Sequence, residues 1–326
     1  AIRTMPGLKN AHLTRPGYAI EYDFYDPTSL KQSTESKHIS GLFMAGQIIG
    51  STGYSEAAAM GMLSGINAAL YVRGEAAWSP ERHDAYMGVM IDDLTLKGIT
   101  EPYRMFTSRA EFRLHLREDN ADIRLTEIGR KLGLIDDYRW EQYSKKQDAV
   151  KEIQEKVKTT WVNPGNVLQE EAQEVLGTKL PHELNLADIL KRPDMTFEQM
   201  MKLQHAQNEL SDFKQSTLNE KFGVTLARSI TEQVVISFKY AGYISKQQDE
   251  ISKLNETNNI ALPKDFNYDE INALSTEVKQ KMNKYKPETI GQASRIQGVT
   301  PAAIGIILIY LKKNRMYKKD NEVVIS

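Results

Sequence analysis

Apolar and polar positions change rhythm along this chain. From Ala1 to about Gly74 the pattern is mixed. "YAIEYDFYD" (18–26) alternates aromatic and polar residues and predicts a strand, and "GLFMAG" (41–46) predicts a short buried one. Ser55 to Leu70 is apolar nearly all round, which predicts a buried helix. "WSPER" (78–82) marks a boundary. Beyond it the helical period dominates. In "TSRAEFRLHL", Ser108 with Glu111 three residues on reads as a capping box. "DDYRWEQYSKKQDAVKEIQEKVKTTW" is a long amphipathic helix stopped by "NPG". "NLADILKRP" and "TFEQMMKL" are short helices separated at Pro193, and Thr231 to about Leu254 is another long helix. Residues 255–268 are polar and turn-rich; "NALSTEVKQKMNKY", "TIGQASRI" and "TPAAIGIILIYLKKN" then give three closing helices. The fold class expected is mainly α: a partial, Rossmann-like α/β region followed by an all-helical region.

Composition narrows the chemistry. The 326 residues are 40% hydrophobic and 26% charged, with a net charge of −1, so any nucleic-acid surface must be a local patch. Cysteine is absent, which excludes disulfides, thiolate nucleophiles and cysteine-held metal within these residues. The best apolar run, "AAIGIILIYL", is about half the ~20 residues a membrane span needs. No secretory signal opens the sequence, and the expected setting is cytoplasmic. The sequence starts at Ala1 in mid-pattern, as a fragment would.

The densest signal is "GLFMAGQIIGSTGYSEAAAMGMLSGINAA" (41–69). A strand ending at Ala45-Gly46-Gln47 would put Gln47 at the carboxyl edge of a sheet, where open α/β folds bind ligands. Gly50 and Gly53 would let a ligand approach the backbone. The helix from about Ser55 would aim free N–H groups at the same place, suiting phosphate or the electron-rich edge of a flavin. Its small residues, from Ala57 to Gly65, would let a neighbour pack close. A tight strand–turn–helix unit without a ligand has the same spacing, and no GxGxxG fingerprint occurs.

Arg109, Arg113 and Arg117 recur every fourth residue after Arg104, and on a helix they would share one face. Such a row can track RNA phosphates, with Tyr103, Phe106 and Phe112 stacking or packing nearby; it can equally be a solvated face paired with Glu101, Glu111, Glu118 and Asp119. His115 among leucines reads as a core histidine, Asp92-Asp93 and Asp136-Asp137 as helix caps, and no metal-ligand spacing appears. Lys239, Tyr240, Tyr243 and Lys246 mix base and aromatic on one helix, for RNA or for packing.

"AGQIIGSTGYSEAAAMGMLSGINA" closely resembles the second signature of the GidA/MnmG family. "RPGYAIEYDFYDP", "DDLTLKGITEPYRMFTSRAEFRLHLREDNADIRLTEIGRKLGL", "KYAGYISKQQDEI" and "KPETIGQASRIQGVTPAAI" look like further family blocks, in family order. Ile49, Ser55 and Met60 depart from it, standing where Asn or Thr, Glu and Gln are usual. The resemblance implies the carboxyl-terminal half of a flavoprotein that modifies the wobble uridine of transfer RNA. It implies FAD contacts at Gly46, Gln47, Gly50 and Gly53, and it favours tRNA contact at Arg104, Arg109, Arg113 and Arg117. The complete enzyme would use FAD, NADH and methylenetetrahydrofolate, act with the GTPase MnmE and form a homodimer. No residue here reads as a catalytic nucleophile or general base. The division implied is 1–75 for part of the FAD domain, 76–228 for a tRNA-contacting helical subdomain and 229–326 for a docking subdomain. A non-catalytic helical module that binds tRNA or protein is the alternative.

Overall fold

The computed structural model describes residues 1–180, 182–258, 260–263 and 266–314. Among the described residues, fourteen α-helices and one two-stranded sheet make up the regular structure, apart from short 3₁₀ turns.

The first 53 residues hold no strand, contrary to the sequence pattern. Residues 18–26 have extended or irregular backbone, but Tyr18, Ile20, Tyr22 and Phe24 lie exposed. A strand needs a neighbour for its N–H and C=O groups, and among the described residues only Tyr25 N–H finds one, the Ile48 carbonyl at 2.7 Å. In "GLFMAG" only Phe43 forms a bridge, to Glu35. Gly46 then takes φ +79° and the chain enters a 3₁₀ turn, Gly46–Ile49.

Helix α1 (Tyr54–Arg73) begins after Gly53 and ends at Gly74, whose left-handed φ of +72° returns its N–H to the carbonyls of Leu70 and Tyr71. One face, with Met60, Leu63, Ile66 and Leu70, is buried. The other, with Ala58, Gly61, Met62, Gly65 and Val72, faces solvent. Of the small residues expected to admit a close neighbour, Ser64 does, its hydroxyl bonding Thr34 and the Met44 carbonyl, whereas a Cβ at Gly61 or Gly65 would touch nothing within 4 Å. Helix α2 (Tyr86–Lys97) is buried along nearly its whole length. Its Met90, Ile91 and Leu94 pack with Leu30, Ile49, Met60, Leu63 and Tyr103 in the first core.

Helices α3 (Ala121–Lys131) and α4 (Asp137–Thr159) follow. Asp136 caps α4, its carboxylate accepting from the Arg139 N–H as expected. Strand β1 (Trp161–Val162), α5 (Gln169–Leu176), strand β2 (Leu184–Asn185), α6 (Leu186–Leu190), α7 (Phe197–Met200), α8 (Gln204–Glu209), α9 (Gln215–Phe222) and α10 (Val224–Lys239) complete a second unit. The strands pair antiparallel, Trp161 opposite Asn185. Ile153 and Val157 of α4, Ile189 and Leu190 of α6, Met200 of α7 and Ile230 and Val234 of α10 lie in its core. The single helix expected from Thr231 to Leu254 is two: the helical dihedrals break at Tyr240 (φ −104°, ψ 7°) before α11 (Ala241–Asn258).

The last unit matches its sequence closely. Ser275, Thr289 and Thr300 cap α12 (Thr276–Tyr285), α13 (Ile290–Arg295) and α14 (Pro301–Lys313), each hydroxyl accepting an N–H from the first turn. Gly298 supplies the left-handed step between α13 and α14 at φ +89°. Ile304, Ile307 and Leu311 bury against Val278, Met282 and Ile296. Arg315, just past α14 in the sequence, lies outside the described residues.

The carboxylates of Asp92 and Asp93 are not caps. They sit in the middle of α2, 2% and 3% exposed. Arg82 binds both, at 3.1 Å and 2.9 Å. Lys97 reaches Asp93 at 2.6 Å. Arg295 of α13 takes Asp92 with two N–H groups, both at 2.7 Å. Burial opposes the Arg82 charge, yet Glu111 and the two aspartates hold its pKa above the ordinary arginine value. Asp92→Asn leaves two guanidinium groups short of charge at a buried site. It should cost about 3–5 kcal/mol, the usual scale for breaking a buried pair from one side. Urea melts of the two proteins measure this, and an unchanged midpoint would show that the cluster is replaceable packing.

Candidate functional site

The turn between Ala45 and α1 and the segment 99–109 lie against each other. Tyr103 N–H donates to the Gly50 carbonyl at 2.8 Å, and Ser51 bridges Tyr103 in parallel register. One turn further on, Met105 N–H donates to Glu56 Oε1 at 3.1 Å. The two stretches that the sequence marked separately, glycine turn and arginine run, are thus one site.

Within it the glycines have different reasons. A Cβ on Gly46 would meet nothing nearer than Ala57 at 3.9 Å, so this backbone is open. At Gly50 a Cβ would sit 1.9 Å from Ile99 Cδ1. At Gly53 it would sit 1.8 Å from Glu56 Oε2 and 2.7 Å from Arg104 Nη1. The space a side chain would take at Gly50 and Gly53 is therefore filled by the chain's own side chains, while the Gly50 backbone still lines the groove at Gln47. Gln47 is exposed and lines a groove of about 310 Å³, walled also by Tyr22, Asp23, Phe24, Gly50, Ile99 and Glu101. Ser51 is 1% exposed, and its hydroxyl has no partner among the described residues.

The amino end of α1 is also not free. Glu56, in its first turn, holds its carboxylate there, accepting the N–H of Met105 first and then its own. These bonds, with Arg104 nearby, keep its pKa below the usual carboxylate range. A negative charge already complements the helix dipole.

The arginines do not form a helical stripe. Thr107–Arg109 is a 3₁₀ turn and residues 111–115 are turns, so Ser108 caps no α-helix. Glu111 is drawn instead to Arg82, at 2.7 Å and 2.8 Å. Arg104 and Arg113 are exposed, the former beside Gly53. Arg109 stacks its guanidinium 4.7 Å above the Tyr103 ring and 6.0 Å from Phe106. Arg117 binds Asp119 and the Leu114 carbonyl and is only partly exposed, which makes it a structural residue of its loop. Phe112 packs in the interior, and His115 is half-buried, its pKa pushed down by burial and then by Arg124. Lys239 hydrogen-bonds the Pro193 carbonyl, while Tyr240 and Tyr243 are exposed on either side of the α10–α11 break. No group of three or more His, Asp or Glu that could hold a metal occurs among the described residues, and no described helix is long and apolar enough to cross a membrane.

A glycine turn laced to a basic, aromatic loop and followed by two helical units defines a mainly helical protein with a largely irregular amino-terminal segment. Known proteins share this layout. Residues 1–76 match the family model described as Glucose inhibited division protein A. Residues 137–248 and 250–324 match the models for the C-terminal helical domain and the C-terminal helical bundle of the tRNA modifying enzyme MnmG/GidA. Two crystal structures of Aquifex aeolicus GidA, form II and form I, are each 39% identical over 95% of this chain, with TM-scores of 0.72 and 0.70. The chain belongs to the GidA/MnmG family, and it spans 46% of the length of those two structures.

The two turn glycines give a test of the local geometry. Gly46→Ala meets only the left-handed backbone penalty, about 1–2 kcal/mol. Gly50→Ala adds a clash with Ile99, about 1–3 kcal/mol more. Thermal melts should rank them in that order, and equal losses would refute the tight seat at Gly50. Glu56 gives a pH test. Its folded pKa is depressed, so its contribution is present above the ordinary value of 4.5 and is lost as pH falls through the lower folded value. The stability gap between wild type and Glu56→Gln should therefore close in acid; a gap that widens there would contradict the hydrogen bonds assigned to Glu56.

Proposed function

We propose that this chain supplies the flavin-turn, RNA-facing and partner-facing parts of an FAD-dependent enzyme that modifies the wobble uridine of tRNA. The observation that carries this reading is the join between the Gly46–Gly53 turn and the arginine loop, in a chain of this family. It puts residues suited to a cofactor beside residues suited to RNA.

The residues present fit a flavin ring better than a diphosphate. The open backbone at Gly46, the exposed Gln47 amide and the unpartnered Ser51 hydroxyl offer neutral hydrogen-bonding groups. Glu56 repels an anion at the helix end, where phosphate would otherwise bind. Gln47, with the backbone at Gly46 and Gly50, would hold and orient the ring edge; Ser51 and Gly53 would act one layer behind, keeping the turn in shape. When bound, FAD supplies the redox chemistry of the reaction. NADH, methylenetetrahydrofolate and a homodimer belong to the same reading of the complete enzyme.

Arg104, Arg109 and Arg113 face tRNA phosphates in this proposal, and α12–α14 dock the MnmE GTPase or the tRNA. A gel-shift titration with unmodified tRNA at several salt concentrations tests the RNA part. Arg113→Ala should weaken binding and lower the salt slope by about one unit, as loss of one phosphate contact does. A slope and affinity that stay at the wild-type values would remove Arg113 from the interface. Absence of tRNA binding by the wild-type chain at low salt would overturn its RNA-binding role.

A further inference from the structure

Three aromatic rings lie along the arginine loop, and the structure gives them different duties. Tyr103 is 3% exposed, its hydroxyl donating to Asp93 at 3.2 Å. Phe112 is 7% exposed and meets His83 edge to face. Phe106 alone of the three faces solvent, at 59% exposed. It belongs to no core cluster among the described residues. Arg109 lies 6.0 Å from its ring, and Arg104 and Arg113, on the same stretch of chain, are exposed.

We infer that Phe106 is a stacking platform for one unpaired nucleobase of the RNA, a role that rests on the RNA reading above. Three observations carry this. First, the ring packs into no core cluster among the described residues. Second, the segment beneath it is rigid. Tyr103 is bonded to Gly50, and Met105 to Glu56. Arg82 grips the carbonyl of Arg109 and the carboxylate of Glu111. A ring carried on an anchored backbone leaves little chain entropy to lose when a base settles on it. Third, Arg109 already lies within cation–π distance of both Tyr103 and Phe106. A guanidinium so placed adds to stacking and meets the phosphate of the same nucleotide. Base-paired RNA offers no free base face, so the platform selects a loop or an extruded nucleotide. Tethered to the turn at Gly50, it holds that nucleotide next to the cofactor segment.

An RNA hairpin with 2-aminopurine in its unpaired loop reads this directly, because stacking quenches the probe. Binding to the 326-residue chain should quench it, and a perfect RNA duplex should compete weakly. Phe106→Ala should abolish the quench and weaken hairpin binding about 5- to 150-fold, the range for losing one base–aromatic stack. Its salt slope should stay at the wild-type value. Phe106→Tyr should retain both affinity and quench. Circular dichroism checks that Phe106→Ala keeps its fold, and the quench with Phe106→Tyr stands as an independent readout. Salt-dependent hairpin binding with no quench in the wild type, or an unchanged Phe106→Ala, overturns the platform and leaves the RNA reading intact. No binding of hairpin or duplex at low salt overturns both.

Discussion

Two adjacent carboxylates in the middle of a buried helix impose a condition on everything around them. Asp92 and Asp93 cannot be neutralised by water, so cations must come from the chain. Lys97 comes from the next turn of α2, Arg82 from the segment before it, and Arg295 from 203 residues away in sequence. Gln32 adds a hydrogen bond to Asp92 from the amino-terminal segment. The cluster therefore ties the first core to the carboxyl-terminal unit. Through Glu111 and the Arg109 carbonyl it also anchors the loop that carries the exposed arginines. Lys37 makes a second link to the last unit, donating to the Tyr285 carbonyl at 2.9 Å. Hydrophobic contact is non-directional, but these bonds fix angles, and angles are what a site shared between segments needs.

What was legible in the sequence was local. Thr289, Thr300, Pro301 and Gly298 each act within one turn of their own backbone, so α13 and α14 could be read residue by residue. The long α4 with its Asp136 cap was equally readable. The strands were not, because alternation states only that one face wants cover. Tyr18 to Phe24 keep the alternation and have no partner strand among the described residues. The capping box at Ser108 failed for another reason. Glu111 had a competing partner, Arg82, whose distance in sequence hides it from any short window. Asp92 and Asp93 were misread in the same way: adjacent residues do point apart on a helix, yet both can be buried when separate cations wait on each side.

The site shows the same division. The residue types at Gly46, Gln47 and Arg104 were visible as candidates, but their proximity was not, since it depends on the hydrogen bond from Tyr103 to Gly50. Glycine spacing also misled on reasons. Gly50 and Gly53 look like clearances for a ligand and are clearances for Ile99 and Glu56. Ile49 and Met60, which depart from the usual family residues, are fully buried in the first core. Their changes alter packing behind the turn and leave the exposed Gln47 side untouched.

The electrostatics of the turn set its preference between ligand parts. A helix amino end usually attracts anions, but Glu56 spends that attraction inside the protein. Arg104, lying beside Glu56 and Gly53, is partly neutralised by the same carboxylate. The groove at the turn, lined also by Asp23 and Glu101, therefore carries no net positive charge, while Arg109 and Arg113 farther along the loop keep exposed positive charge. A neutral ring is suited to the first position and a phosphate backbone to the second. One carboxylate, fixed by the Met105 N–H, thereby separates a site for a flat, uncharged group from a site for polyanion along a single continuous stretch of chain.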